Sequence, residues 1–201
     1  MIYVNGRFLL QSLTGVNRFA YELCRAWVQM GIPFILCCPS GSIKGCYDVS
    51  HFNIVVYGWG KSHVWEQLLL PLWFSRIKGE KVLVCFTGLG PLLIRKKIMT
   101  IHDLAFMANP DWYSRSYRLW YRLMTPLCVA TSMKILTVSE FSKSEIVRRL
   151  SIDDRKISVI YNAVSSLFCV SDSSHRNARE VTGEKYILAV SSIDPRKNFS
   201  M

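Results

Sequence analysis

The feature that most constrains the fold of this chain is the alternation of short apolar segments with longer amphipathic ones. The short segments consist mainly of Val, Ile, Leu, Phe and Tyr, which is typical of strands buried on both faces. Predicted strands are residues 2–4, 34–38, 53–57, 82–86, 98–101, 135–138 and 157–161, and predicted helices are 16–30, 64–77, 111–131 and 139–150. The alternation predicts an α/β fold, a Rossmann-like parallel sheet with helices on both faces. Ligands of such sheets bind beyond the carboxyl ends of the strands.

Single residues mark several helix boundaries. Gly31 is placed to end the first helix, and Ser139 is placed to begin the last one as its N-cap. Ser142 stands where a capping box would have Glu or Gln, so a plain serine cap is expected at Ser139. Pro71 predicts a kink inside the helix over 64–77.

The charge balance points to an anionic partner. The 201 residues carry 25 Lys and Arg against 14 Asp and Glu, a net charge of +11. Nucleic acid, an acidic lipid surface or a phosphorylated substrate would each fit this excess, and so would a basic surface that only keeps the protein in solution. No recognition helix, RNP motif or zinc-finger spacing is present, so we expect no nucleic-acid partner.

Cysteine spacing and hydropathy indicate in which compartment of the cell the protein is found. The seven cysteines show no Cys-x-x-Cys spacing, which favours reduced thiols over a zinc or disulfide framework, and no metal site is expected. The most apolar window, residues 64–74, is too short for a membrane span and contains Glu66 and Gln67. No signal peptide is recognised before the first strand. The prediction is a cytoplasmic protein, either free or peripheral at the inner face of the cell membrane.

Two places after predicted strands carry residues suited to a cleft. Thr14 and Gly15 stand at the start of the first helix, where a hydroxyl caps free N–H groups and a glycine lets a ligand approach the backbone. His102 ends a strand, where it can orient or shuttle a proton, with Asp103 beside it to raise its basicity or bind a hydroxyl. The alternatives are an ordinary capped helix start and a histidine satisfied by backbone carbonyls.

Two further sets of cations suit anionic ligands. Arg196 and Lys197 follow a predicted strand at 186–190, where they fit a diphosphate or, alternatively, a solvated helix start. Arg115, Arg118 and Arg122 recur at helical spacing beside Trp120, which is typical of a membrane interface or an acceptor surface. The alternative is that the aromatic rings pack into the core while the arginines are solvated.

Taken together, these segments resemble family 4 (group 1) glycosyltransferases, most closely the mannosyl- and rhamnosyl-type enzymes of bacterial surface polysaccharide assembly. The segments that carry the resemblance, in order, are NGR at 5–7, TGVNR at 14–18, IHDLAF at 101–106, LTVSEFSK at 136–143, VIYNAV at 159–164 and PRKN at 195–198. Each is weak alone, but their order and spacing match over almost the whole chain.

The resemblance implies a GT-B fold, in which an N-terminal domain binds the acceptor and a C-terminal domain binds a nucleotide sugar. It implies retaining hexosyl transfer to a lipid-linked or saccharide acceptor without a bound metal. By the same resemblance Gly15 lies near the donor phosphates or sugar, His102 lines the reaction centre, and Lys197 holds the donor diphosphate as an electrostatic catalyst. Ser192 stands where many members have arginine, so Arg196 would have to replace it.

The same comparison divides the chain. We expect an acceptor domain over 1–164, a polar linker over 165–184, and the start of a truncated donor-binding domain over 185–201. Because a donor site needs several strands and helix N-termini, the 201-residue chain is predicted to be inactive alone. Alternatives are a non-catalytic acceptor- or membrane-binding module, one half of a split enzyme, and a GT-B epimerase.

Overall fold

Seven parallel strands form the centre of the molecule, and their order is that of a Rossmann-like sheet. A computed structural model describes residues 1–60 and 63–164. The strands are β1 (Ile2–Asn5), β2 (Phe34–Cys38), β3 (Ile54–Val56), β4 (Val82–Cys85), β5 (Lys97–Thr100), β6 (Lys134–Thr137) and β7 (Ile157–Val159). They pair in the order β3-β2-β1-β4-β5-β6-β7, which confirms the predicted fold class.

The helices connect these strands and cover both faces of the sheet. They are α1 (Gly15–Gln29), α2 (Leu70–Arg76), α3 (Ala105–Ala108), α4 (Arg115–Ala130) and α5 (Glu140–Leu150). Short 3₁₀ turns lie at Gly6–Leu10, Pro110–Trp112 and Asp154–Lys156, and a π-helical turn at Trp65–Leu69 runs directly into α2.

The alternation of side chains along the strands divides the interior into two cores. Val4 and Val84 point toward α1, where they pack with Ala20 of that helix in the α1-side core. Tyr3 and Leu83 point to the opposite face. There α2, α4 and α5 supply Phe74, Cys128 and Ile146 to the α4-side core. β1, β2 and β4 are buried on both faces, which explains their continuous apolar runs, whereas Val56 of the edge strand β3 is 59% exposed.

Three helix boundaries show how the sequence signals act. Gly31 adopts φ +67° and follows α1, with its N–H donating to the Val28 carbonyl, so the predicted stop is confirmed. The helix predicted over 111–131 begins only at Arg115, because Ser114 caps it by accepting the Tyr117 N–H. The helix opens with the π-helical turn, and Pro71, where a kink was predicted, lies near the start of α2.

The compact unit of the chain is Met1–Tyr161. A second unit, Asn162–Met201, is described only at residues 162–164. The predicted linker at 165–184 and the predicted start of a donor-binding domain at 185–201 therefore lie outside the described residues.

Candidate active site at the carboxyl edge of the sheet

His102 and the first turn of α1 lie on the same side of the sheet edge. His102 follows β5, and its ring packs edge-on against Phe19, with centroids 5.0 Å apart and planes at 84°. Phe19 is about one helical turn beyond Gly15. Two of the regions that the sequence analysis singled out are therefore neighbours at the carboxyl edge.

The hydrogen bond of His102 fixes which ring nitrogen carries the proton. Nε2 lies 2.9 Å from the carbonyl oxygen of Phe86. A carbonyl can only accept, so Nε2 is protonated and Nδ1 keeps its lone pair in the neutral ring. Burial lowers the pKa of His102, and this outweighs the hydrogen bond with Phe86 and the charge of Asp103, which both raise it. At neutral pH the ring is an acceptor at Nδ1.

Asp103 has a structural partner of its own. Its Oδ1 accepts the N–H of Ala105 at 3.0 Å, which stabilises the start of α3. Its charge raises the pKa of His102 only as the last of three causes. Asp103 thus raises the pKa of His102, as the sequence predicts, but burial lowers this pKa by more.

Thr14 and Gly15 leave the amino end of α1 open. Thr14 Oγ1 accepts the N–H of Asn17 at 3.3 Å and so caps the helix. A Cβ atom built on Gly15 would have nothing within 4 Å. The remaining N–H groups of the first turn have no intrahelical acceptor, and with the positive end of the helix dipole they make a place for an anionic or hydroxyl group.

Side chains from β6 and α5 hold His102 in place. Thr137 Oγ1 donates to the carbonyl of Ile101 at 2.7 Å, and Ser142 Oγ donates to the carbonyl of His102 at 3.0 Å. Ser139 Oγ accepts the N–H of Ser142 at 3.0 Å, so Ser139 is the N-cap that the sequence predicted. Sequence reasoning missed the contacts of Thr137 and Ser142 with the His102 segment, because no local pattern shows which strand a hydroxyl will reach.

Comparison with known proteins identifies the family to which this chain belongs. The sequence model described as Glycosyltransferase Family 4 matches residues 13–166, which include Thr14, Gly15, His102 and Ser139. The chain belongs to glycosyltransferase family 4. The matched segment is the N-terminal domain of a GT-B fold, as the resemblance implied.

Two curated relatives of this family 4 chain are named for O-antigen synthesis. The chain is 33% identical over 120 residues to the O-antigen chain mannosyltransferase RfbU of Salmonella typhimurium, an alignment covering 60% of this chain and 31% of RfbU. It is 25% identical over 117 residues to O-antigen chain mannosyltransferase B of Escherichia coli, covering 54% of this chain and 29% of that protein. The matched part of the chain thus spans less than a third of the length of either relative.

The predicted arginine surface on α4 has leucines at its centre. Arg115 and Arg122 are exposed, whereas Arg118 lies 3.7 Å from the Asp111 carboxylate. Trp120 is half-buried, with its ring 5.4 Å from that of His63. The exposed apolar side chains of α4 are Leu119, Leu123 and Leu127, at 73%, 59% and 43% exposure.

The remaining predictions concern cations, metals and the membrane. Arg196 and Lys197 lie outside the described residues. Within residues 1–60 and 63–164, His, Cys, Asp and Glu side chains form no group of three that could hold a metal ion. No helix in the described part of the chain is long and apolar enough to cross a membrane.

Proposed function

We propose that this family 4 protein takes part in hexosyl transfer from a nucleotide sugar to a lipid-linked or saccharide acceptor, with retention of configuration. The observation that carries the proposal is the contact of His102 with Phe19, one helical turn beyond the open amino end of α1, at the carboxyl edge of the sheet. The two relatives named as mannosyltransferases make mannose the first donor sugar to test.

The geometry suggests a separate role for each residue of the candidate site. The N–H groups beside Gly15 would bind the donor phosphates or sugar, since a glycine with open space at that position admits a ligand to the backbone. His102 would accept a hydrogen bond at Nδ1 from a sugar hydroxyl, while the Phe86 carbonyl keeps Nε2 protonated. Asp103 would support this segment through α3. Lys197, with Arg196, would neutralise charge developing on the departing diphosphate, and no step requires a metal.

We infer that transfer needs a donor-binding domain in addition to the unit Met1–Tyr161. A nucleotide site in a Rossmann-like domain is assembled from several strands and helix N-termini. The amino end of α1 supplies one face of a cleft, and the opposite face must come from elsewhere.

The test is a transfer assay with radiolabelled GDP-mannose and a bacterial lipid extract. The chain is assayed alone and fused to the part of RfbU that it does not match. We expect background transfer from the chain alone, transfer from the fusion, and loss of about 100-fold or more when the fusion carries His102→Ala. Transfer by the chain alone would refute the need for a second domain. Transfer that survives His102→Ala would refute the role of His102, and a fusion without transfer would refute the proposed activity.

A second proposal concerns the surface of α4. We infer that Leu119, Leu123 and Leu127, flanked by Arg115 and Arg122, dock on an anionic lipid surface where a lipid-linked acceptor would be found. Leucines at one helical face with arginines beside them allow shallow insertion and attraction to acidic headgroups together. The half-buried Trp120 supports the helix from its inner side.

The helix formed by the π-helical turn and α2, together with Val64 just before the turn, adds a matching stripe. Val64, Leu68 and Leu72 recur every fourth residue and are exposed at 61%, 61% and 47%. This helix and α4 pack into the same core, so both stripes lie on the outer side of the same helical layer.

Vesicle co-sedimentation tests this surface. We expect the chain to bind phosphatidylglycerol vesicles, to bind less at 0.5 M NaCl, and to lose most binding in a Leu119→Asp, Leu123→Asp double variant. Leu93→Asp is the matched control, because Leu93 is an exposed leucine outside both helices. Equal binding by the double variant and the control would exclude α4 as the docking element.

A further inference from the structure

A buried polar cluster lies at the point where the strand order of the sheet reverses, between β1 and β4. Glu66, only 1% exposed, accepts a hydrogen bond at Oε1 from Asn5 Nδ2 at 2.5 Å. Its Oε2 lies 3.4 Å from Arg7 Nη2 and 3.5 Å from His63 Nδ1. Asn5 ends β1, so the cluster sits in the crevice where open α/β sheets bind their ligands.

Several polar atoms of this cluster lack hydrogen-bond partners. In the part of the chain that the structure describes, Arg7 Nε, His63 Nδ1, Glu66 Oε2 and Trp120 Nε1 are buried and make no hydrogen bond, although Glu66 Oε2 lies at ion-pair distance from Arg7 and His63. Buried polar atoms are nearly always paired, so this concentration in one place calls for a missing partner. The cluster offers both donors and an acceptor, which suits a partner that also donates and accepts.

A stack of tyrosine rings connects the cluster to the candidate active site. The rings of Tyr117 and Tyr121 stack with centroids 4.2 Å apart, and Tyr113 stacks on Tyr117 at 5.2 Å. The Tyr121 ring meets His63 edge-on at 6.0 Å. The Tyr117 ring also lies 6.4 Å from the ring of Phe106 in α3, the helix that begins three residues after His102.

We propose that Arg7, His63 and Glu66, together with the rings of Tyr117 and Tyr121, form the subsite for a neutral saccharide portion of the acceptor. This rests on the proposed transferase function. Sugar hydroxyls both donate and accept, so they can pair with Glu66 Oε2 and Arg7 Nε, while sugar C–H groups contact the exposed edge of the Tyr117 ring. Because Glu66 balances the charge of Arg7, the cluster favours a neutral polyol over a phosphate.

His63 is the side chain that gives access to the cluster. It is 29% exposed, whereas Arg7 and Glu66 are 11% and 1% exposed. Rotation of the His63 ring away from Trp120 would uncover Glu66 Oε2 and Trp120 Nε1 together. A saccharide entering there would lie beside the tyrosine stack, on the α4 side of the His102 segment.

The test measures binding without donor or transfer. Saturation-transfer difference NMR is recorded on the full chain with the methyl glycosides of mannose, rhamnose, glucose, galactose and N-acetylglucosamine. We expect signals from at least one glycoside, weakened about tenfold by Glu66→Gln and by Tyr117→Ala. Glu22→Gln on α1 and Tyr161→Ala after β7 are matched surface controls that keep the signals.

Each outcome decides the proposal. Tyr117 is partly exposed, so Tyr117→Ala tests the subsite even if the buried Glu66→Gln variant fails to fold. Absence of signals from every glycoside, or signals that neither variant weakens, would overturn the subsite. Because no donor is present, such a failure leaves the transfer assay unaffected, and a failed transfer assay leaves the glycoside signals unaffected.

Discussion

His102 fits both the structural and the functional interpretation of its sequence, because its two ring nitrogens have different surroundings. Its Nε2 is satisfied by the Phe86 carbonyl, as in a structural histidine, and its Nδ1 remains an acceptor, as in a functional one. Burial is the main cause of its lowered pKa. The neutral ring is therefore both the better-packed form and the form with a free lone pair.

This lowered pKa predicts a pH dependence of stability. The unfolded chain protonates His102 near pH 6.5, whereas the folded chain does so only at lower pH, so the unfolded state binds more protons as the pH falls below about 6.5. The free energy of unfolding should therefore drop more between pH 7.5 and pH 5.5 for the wild type than for His102→Gln. Urea denaturation of both proteins at the two pH values measures the difference, in which the other histidines cancel. Parallel losses in the two proteins would contradict the prediction.

Two glycines near the candidate site should differ in how well they tolerate substitution by alanine. A Cβ on Gly6 would lie 2.5 Å from Cys38 Sγ and 3.2 Å from the Cys37 carbonyl, whereas one on Gly15 meets nothing within 4 Å. We expect Gly6→Ala to lower the free energy of unfolding by about 1–3 kcal/mol. Gly15→Ala should change it by less than about 1 kcal/mol. Urea unfolding of both variants provides the measurement, and equal costs would show that the β1–β2 packing is looser than described.

At the scale of elements, the caps of α4 and α5 look alike but have different neighbours. Ser114 and Ser139 each accept a backbone N–H from the third residue beyond. The capped residue of α5, Ser142, also donates to the His102 carbonyl. Loss of either cap should cost about 1 kcal/mol of folding free energy.

Loss of the two caps should have different effects on His102. We expect Ser139→Ala to shift the His102 ring signals in an NMR spectrum, whereas Ser114→Ala leaves them in place at a similar cost in stability. Unchanged His102 signals in both variants would mean that α5 does not position the histidine.

Strands and long helices could be predicted because their apolar periodicity is local, and each of the seven strands predicted within the described residues overlaps one of the seven found. Elements whose geometry depends on partners distant in the sequence could not be predicted in this way. The π-helical turn at Trp65–Leu69 is an example, since Trp65 bonds the Tyr57 carbonyl, Glu66 bonds Asn5 and Gln67 bonds the Gly90 carbonyl. Three successive side chains directed inward have no counterpart in a 3.6-residue pattern.

The residues of the candidate site could be singled out to the same extent. Thr14, Gly15 and His102 each stand at the end of a strand or the start of a helix, where residue type alone suggests a role. Glu66 was not, because it lies in an apolar helix and acquires partners only when β1 folds against it.

At the scale of the whole molecule, the two cores share their strands, so they should open together. Cys24 and Cys38 lie in the α1-side core and Cys85 and Cys128 in the α4-side core, whereas Cys46 is exposed. Burial raises the pKa of Cys38 to about 12 and is the main cause of a rise to about 11 for Cys128.

We therefore expect alkylation followed by mass spectrometry to label Cys46 in the folded protein. The five core cysteines, which are these four and Cys37 of the α4-side core, should react at one common rate, at least about a thousandfold slower than Cys46, because their exposure requires global unfolding. A faster rate for Cys24 and Cys38 than for Cys85 and Cys128 would show that the α1 side opens independently.

The position of β1 in the middle of the sheet has a consequence for synthesis on the ribosome. β1 pairs with β2 on one side and with β4 on the other, yet residues 82–85 are translated long after residues 34–38. A nascent chain in which β1 has paired with β2 therefore carries a central strand with an open, apolar edge until β4 emerges. Such an edge invites pairing with other chains. A chaperone that covers nascent chains until β4 emerges would act on this protein at that stage.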